Sequence, residues 1–304
     1  MSKEVSLQFQ NIATWLKDAR NTAEGSTQFF LAQTPDAIYT NPRTDISPFV
    51  DPLIHQNSDI VSFSEVFGIQ QRDELKKKLE TQGYTVYITD AFEMWSQSIQ
   101  EEHLYNVVGI KEKEVWNPKI ENRGFHNKRP IAGLVISLQY ILSGSTWEAT
   151  RWKIEQAIHL RKRLVSGILD GAISVFEFDT FTLATGHIHR YNSEVQDTLS
   201  KHAKKDKPFM LLWDMNVWHG KNVLLNRPFN TPDWSSFIHP EQRTFWFVDG
   251  LTLRDRFTLA TAHMQPDVLI AKWVEPIDIR LIQSPSDHNG IFARVKISTS
   301  QSSR

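Results

Sequence analysis

Carboxylates, imidazoles and an amide stand at the ends of apolar segments in this 304-residue chain. They are Glu65, His187, Asp214, Asn216, Asp287 and His288. Strand ends and the loops beyond them are where a rigid scaffold presents side chains to a ligand. Hard oxygen ligands with few nitrogens favour magnesium, manganese or calcium over zinc. A metal on phosphate, an amide donor and two imidazoles together suit in-line attack of water on a phosphoryl group.

Asp287 and His288 are neighbours in a turn that follows Pro285. Adjacent side chains on a strand point to opposite faces, so both can face one site only from the turn before the strand Ile291–Ile297. Such a pair is also typical of a solvated turn that uses Asp and His for local hydrogen bonds. The other segments must therefore supply partners if the pair is part of a site.

Apolar runs of strand length deliver most of these residues. The run Asp59–Glu65 ends at its own glutamate, the run Phe209–Trp213 leads directly into Asp214, and a predicted hairpin over 172–185 leads into His187. Helical spacing predicts helices over 7–20, 71–82, 147–169 and 194–204. Strands interleaved with a few helices predict two packed sheets with helices outside.

The composition is that of an ordinary globular protein. The net charge is -1 and the sequence has no cysteine, which excludes disulfides, thiol nucleophiles and Cys-ligated metal. The first residues have no apolar core like that of a signal peptide, and no run of about 18 apolar residues occurs. We therefore expect a cytoplasmic protein with no transmembrane segment. We expect one domain over 1–304, with an N-terminal helix over 7–20 and a surface insertion near 219–242.

Four motifs, in this order, resemble the endonuclease/exonuclease/phosphatase (deoxyribonuclease-I-like) superfamily. The segment 60–65 is similar to the family's apolar strand that ends in a metal-binding Glu, and 184–188 is similar to Asn-Thr-His-Leu. The segment 212–216 resembles Gly-Asp-Phe/Met-Asn with Trp in place of Gly, and 286–288 matches the terminal Ser-Asp-His. The resemblance implies an α+β fold, a four-layer α/β/β/α sandwich of two mixed sheets flanked by helices.

The resemblance also implies roles for individual residues. It implies that Glu65 and Asp287 bind the metal, Mg²⁺ or Mn²⁺. It also implies that the catalytic residues are His187, Asp214, Asn216 and His288. Two softer matches add Asp267, which would orient His288, and Arg129, which would contact phosphate. The family's first strand ends in an Asn; a first strand over 29–34 would put Gln33 in that place.

The function that the resemblance implies is metal-dependent phosphodiester hydrolysis, with a nuclease acting on nucleic acid as the first hypothesis. A phosphatase or phosphodiesterase acting on a phospholipid or a small phosphorylated metabolite is the second. A binding relative without catalytic activity is the third, because Gln33 departs from the family pattern.

Overall fold

A computed structural model describes residues 2–12, 45–95, 101–111, 117–127, 168–188, 193–203, 206–214, 234–236, 267–282 and 288–298. The strands are β1 (Ser2–Asn11), β2 (Ile60–Phe67), β3 (Tyr84–Trp95), β4 (Glu101–Lys111), β5 (Lys119–Asn127), β6 (Ile168–Glu177), β7 (Thr182–Ile188), β8 (Phe209–Asp214), β9 (Trp234–Ser236), β10 (Asp267–Lys272), β11 (Val274–Ile282) and β12 (Gly290–Ser298). The described helices are α1 (Ser47–Ile54), α2 (Gly68–Thr81) and α3 (Ser193–Ala203).

The strands form two mixed sheets. The first has the order β11-β12-β1-β2-β4-β3, and the second has the order β5-β6-β7-β8-β10-β9. Among the described residues, one main-chain ladder pair, Phe92 with Asp170, connects the two sheets. Pairing is parallel between β1 and β2 and between β7 and β8, and antiparallel at the other ladders between described strands.

The two sheets pack face to face over a shared apolar core. Alternate residues of β1 (Val5, Leu7 and Phe9) meet alternate residues of β8 (Met210 and Leu212) in this core. The period of two follows from the pleat, which sends successive side chains to opposite faces. All these side chains are buried, so the core between the sheets contributes to the molecule's hydrophobic stabilisation.

Helices cover the outer faces of both sheets. Val61 and Phe63 of β2 point outward and pack with residues of α1 and α2. On the second sheet, Leu211 and Trp213 of β8 pack with residues of α3. The molecule is therefore the four-layer α/β/β/α sandwich that the resemblance implied.

Several predictions from periodicity are confirmed. The predicted helices at 71–82 and 194–204 correspond to α2 and α3, and the predicted hairpin corresponds to β6 and β7, which pair antiparallel. Gly83, which follows α2, has φ +80° and can adopt the left-handed conformation common after a helix C-terminus. No helix within the described ranges is long and apolar enough to cross a membrane.

The N-terminal helix predicted over 7–20 is wrong for its first part. Residues 2–11 form β1, a central strand between β12 and β2. The alternation of Val5, Leu7 and Phe9 into the core decides the structure there, and the helical spacing at 12, 15, 16 and 19 had obscured it. Residues 13–44 lie outside the described residues.

Other corrections concern short or exposed elements. The prolines between residues 35 and 57 are typical of a loop, but this segment contains α1, with Pro48 in its first turn, where proline is tolerated. Part of the predicted insertion, Trp234–Ser236, pairs with β10 as an edge strand. The strands β5 and β11 were not predicted from the sequence. Most of the helix predicted over 147–169 lies outside the described residues, and its last two residues, 168 and 169, belong to β6.

Candidate active site

The site lies where the ends of strands from both sheets meet. In the second sheet, His187 of β7 pairs with Asp214 of β8, and Asp214 pairs with Asp267 of β10. In the first sheet, Asn11 ends β1 beside β2, which carries Glu65. The hydroxyls of Ser62 and Thr185, 2.7 Å apart, join the two sheets close to this end.

Glu65 reaches the site through an irregularity in β2. The pairing of β2 with β4 shifts between Phe63 and Val66, and Glu65 has φ +57°. A bulge inserts an extra residue and can re-aim a side chain. Here Phe63 and Val66 both pack outward against the helices, while the carboxylate of Glu65 contacts site residues. Backbone in the left-handed region is costly for a non-glycine residue and clusters at functional sites.

Asn11 holds two carboxylates together. Its Nδ2 donates to Glu65 Oε1 at 2.9 Å and to Asp214 Oδ2 at 2.7 Å. Asn11 and Asp214 are fully buried, and Glu65 is 8% exposed. Hydrogen bonds from the amide offset part of the cost of burying two like charges side by side. One amide thus sets the spacing of an acid from each sheet.

His187 faces the same two acids. Its Nε2 lies 3.4 Å from Glu65 Oε1 and 3.6 Å from Asp214 Oδ2. The strand runs close to its neighbour here, because a Cβ on the preceding Gly186 would lie 2.2 Å from the carbonyl oxygen of Ala172 on β6. Glycine at 186 therefore allows the close strand contact that places the imidazole.

His288 is oriented by Asp267. The Nδ1 of His288 lies 2.8 Å from Asp267 Oδ2, and Asp267 is fully buried. The same nitrogen is 3.7 Å from Asp214 Oδ2. With a proton on Nδ1 donated to Asp267, the Nε2 of a neutral ring is the nitrogen left to accept a proton.

These contacts make Asp214 the centre of the site. Its Oδ2 accepts from Asn11 and is within 3.7 Å of a ring nitrogen of each histidine. Two overlapping groups have ligand atoms within 4.8 Å of one another: Glu65 with His187 and Asp214, and Asp214 with Asp267 and His288.

Several solved structures share the overall architecture of this chain. The catalytic domain of human Nocturnin matches with TM-score 0.51 and 9% identity, over 97% of this chain and 94% of that chain. ANGEL2, a 2′,3′-cyclic phosphatase, matches with TM-score 0.53 and 9% identity, over 97% and 95%. An endonuclease/exonuclease/phosphatase family protein from Leptotrichia buccalis matches with TM-score 0.52 and 9% identity, over 96% of this chain and 99% of that chain. This chain has the endonuclease/exonuclease/phosphatase fold. Neither a protein-family model nor a curated protein matches the sequence.

Within this endonuclease/exonuclease/phosphatase fold, the structure brings together a subset of the residues that the sequence singled out. They are Glu65, His187, Asp214, Asp267 and His288. The remaining predicted site residues, Gln33, Arg129, Asn216 and Asp287, lie outside the described residues.

Asn11 is the site residue that the sequence analysis missed. The strand that lies beside β2 is β1, and the amide at its end belongs to Asn11. The signal was present in the sequence: Val5, Leu7 and Phe9 alternate, and an Asn follows them directly, as the family pattern requires. Residues 29–34, with Gln33, lie outside the described residues.

The donor set of the site fits a hard divalent cation. Glu65 and Asp214 offer carboxylate oxygens, which are the ligands that Mg²⁺ and Mn²⁺ prefer. Two buried carboxylates beside one neutral amide also leave negative charge that a cation would neutralise.

Proposed function

We propose that this protein is a divalent-metal-dependent phosphodiester hydrolase that acts on nucleic acid. The observation that carries the proposal is the buried cluster in which Asn11 joins Glu65 to Asp214 while Asp267 orients His288. Three carboxylates and two histidines at the ends of paired strands form a set suited to activating water and binding a phosphoryl group.

The cation would be Mg²⁺ or Mn²⁺, held by Glu65 and by Asp287 in the turn before β12. When bound, it would neutralise phosphate charge. Asn11 would hold the carboxylate of Glu65 in place, because its amide donates to that group at 2.9 Å.

His288 would act as the general base. With Nδ1 hydrogen-bonded to Asp267 at 2.8 Å, its Nε2 would take the proton of the attacking water. Asp214 would position that water as a hydrogen-bond acceptor. The new P–O bond forms from the water oxygen, and the bond to the leaving oxygen breaks in line with it.

His187 would act on the phosphate on the side away from the attacking water. Its Nε2 would donate to a phosphate oxygen or protonate the leaving oxygen. Asn216 would hydrogen-bond the transition state, and Arg129 would contact phosphate.

Nucleic acid is the substrate class we favour for two reasons. The stretch around Arg129-Pro130 resembles deoxyribonuclease-like relatives. ANGEL2, which shares this fold, is a 2′,3′-cyclic phosphatase with a solved complex with adenosine-2′,3′-vanadate, a nucleotide-derived ligand. The ANGEL2 comparison also favours a second candidate, a phosphatase acting on a nucleotide or another small phosphorylated metabolite. A phospholipid remains the third substrate class to be tested.

The test compares substrates, metals and variants in one assay. Purified protein is incubated with Mg²⁺ or Mn²⁺, with and without EDTA, on plasmid DNA, RNA, RNA ending in 2′,3′-cyclic phosphate, sphingomyelin and phosphoinositides. We expect nucleic-acid cleavage that EDTA abolishes and that His288→Ala lowers by about 10²- to 10⁴-fold, the usual contribution of a general base.

The matched control is His126→Ala, since His126 is an exposed histidine on β5 that contacts none of the site residues described above. It should retain wild-type activity. Activity that survives EDTA, or an equal loss in both histidine variants, would contradict the mechanism. Turnover of cyclic phosphate ends or lipid without cleavage of DNA or RNA would replace the nuclease by the corresponding alternative.

A further inference from the structure

Gln10 is a fully buried polar residue that lies beside the candidate active site and contacts two of its residues, Asn11 and His288. It precedes Asn11 on β1, so its side chain points to the opposite face of the sheet from that of Asn11. Its Nε2 nevertheless donates two hydrogen bonds, to the main-chain carbonyl of Asn11 at 2.7 Å and to the main-chain carbonyl of His288 at 3.0 Å. One amide group therefore links the main chain of Asn11 to that of His288, which lies 278 positions after Gln10.

The geometry fixes the orientation of this amide. Both neighbours of Nε2 are carbonyl oxygens, which only accept, so the nitrogen and not the oxygen must face them. The oxygen Oε1 lies against Gly290, where a Cβ would come within 2.5 Å of it. A glycine at the start of β12 thus leaves the room that the amide needs.

The bond to His288 extends the strand pairing where the ladder stops. Main-chain pairing between β1 and β12 runs from Ser2 with Ser298 to Phe9 with Ile291. His288 lies three residues before Ile291, and the side chain of Gln10 on β1 donates to its main-chain carbonyl.

We infer that Gln10 is a positioning residue, which sets the general base His288 and the amide Asn11 in register with each other. The inference rests on the proposed function for its effect on catalysis. Residues that hold reacting groups through a second layer of hydrogen bonds typically change activity by about 10- to 100-fold when they are removed. Gln10 touches neither the carboxylates nor any reacting atom, so its effect belongs in kcat, with KM little changed.

The first test reads the two hydrogen bonds without any turnover. Carbonyl ¹³C shifts respond to the loss of a donor, and selective labelling isolates the two carbonyls. Protein labelled with ¹³C′-Asn and ¹⁵N-Ile gives one cross-peak, because Asn11-Ile12 is the sole Asn-Ile pair in the sequence. Protein labelled with ¹³C′-His and ¹⁵N-Asn gives two, from His288-Asn289 and from His126-Asn127, and the second serves as an internal reference.

The variants are Gln10→Met and Gly290→Ala, with Gln8→Met as the control. Gln10→Met removes both donors at similar volume. Gly290→Ala pushes the amide away without changing Gln10, because the added Cβ would stand 2.5 Å from Oε1. Gln8 is equally buried on the same strand and face, two residues before Gln10. We expect the Asn11 and His288 carbonyl peaks to move in the first two variants and to stay in the third.

The second test measures kinetics on the same variants, with whichever substrate the wild-type protein turns over. We expect kcat to fall by about 10- to 100-fold in Gln10→Met at nearly constant KM, and Gln8→Met to match the wild type. Carbonyl peaks that do not move would overturn the inference, as would moved peaks with an unchanged kcat. A wild-type protein with no hydrolase activity would instead sink the proposed function, while the peaks still report whether Gln10 holds the two carbonyls.

Discussion

At the scale of single residues, the site is built from shared hydrogen-bond partners. Asp214 Oδ2 accepts from Asn11 and lies near both histidines, and Asp267 accepts from His288. In a buried setting each such bond is stronger than in water, and each lost partner leaves a costly unsatisfied group. Function should therefore respond to changes that keep shape and alter only the chemistry of one atom.

Asp267→Asn is such a change. The amide keeps the shape of the carboxylate but no longer attracts a proton on His288 Nδ1, so the ring loses the tautomer that leaves Nε2 free to accept. We expect kcat to fall by about 10²- to 10⁴-fold while the free energy of unfolding changes far less than activity. Steady-state kinetics and urea denaturation check this.

Asp278→Asn is the matched control for that prediction. Asp278 lies on the edge strand β11, is half-buried, and belongs to neither group of ligand atoms at the site. It should leave kcat within twofold of the wild type. A wild-type kcat in Asp267→Asn, with His288→Ala inactive, would show that His288 works without its carboxylate partner.

Most of the site could be predicted from the types of residue that stand at strand ends. Asn11 could not, and the sequence of β1 explains why. Glu65, Asp214 and Asp267 each lie on or at the end of a strand whose residues are all buried. Such strands read as continuous apolar runs. Asn11 was missed because β1 mixes alternating apolar residues with buried Gln8 and Gln10, which read as polar positions. Hydrogen bonds such as those of Gln10 follow from tertiary contacts that no local pattern encodes.

At the scale of elements, close approach between strands decides where catalytic side chains lie. The bulge in β2 turns Glu65 into the site, and the contact of β6 with β7 at Gly186 places His187. Periodicity predicts that these strands exist, but a bulge depends on the pairing partner and is invisible in one strand's sequence. Edge elements such as β11 escaped prediction because their outward faces are polar and half-exposed.

Gly186→Ala tests the close contact. The added Cβ would stand 2.2 Å from the carbonyl oxygen of Ala172 and 2.9 Å from Cα of Ile173, and main-chain atoms cannot move aside as a flexible side chain can. We expect the free energy of unfolding to fall by about 3 kcal/mol or more, because overpacking against a rigid backbone forces the strands apart and because Gly186 has φ +156°, which residues with a side chain rarely adopt. Urea denaturation measures it.

Gly83→Ala separates steric contact from backbone conformation. Gly83 has φ +80°, but its Cβ would meet nothing within 4 Å, so only the conformational cost of about 1 to 2 kcal/mol applies. The site is distant from this turn, so activity should be kept. If Gly186→Ala proved no more destabilising than Gly83→Ala, the strand contact would not be the constraint on position 186.

At the scale of the whole molecule, the site is a junction between the two sheets. The apolar core joins the sheets along most of their length, and at one end polar side chains take over. Asn11 and Glu65 come from the first sheet, whereas His187, Asp214 and Asp267 come from the second. A cation held at this junction would therefore occupy a site that only the folded chain forms.

Divalent metal should accordingly stabilise the folded protein in a saturable way. A ligand that binds only the native state adds about 2.7 kcal/mol to the free energy of unfolding when its concentration is 100 times Kd. We expect the Tm to rise with Mn²⁺ or Mg²⁺ and to fall back with EDTA. Glu65→Gln should abolish the rise, because it removes a charged ligand at the junction. Glu121→Gln, which changes an acid paired with Lys201 on the outer side of β5, should keep it. A metal-dependent rise that persists in Glu65→Gln would place the cation elsewhere, and no rise in the wild type would argue against a native metal site.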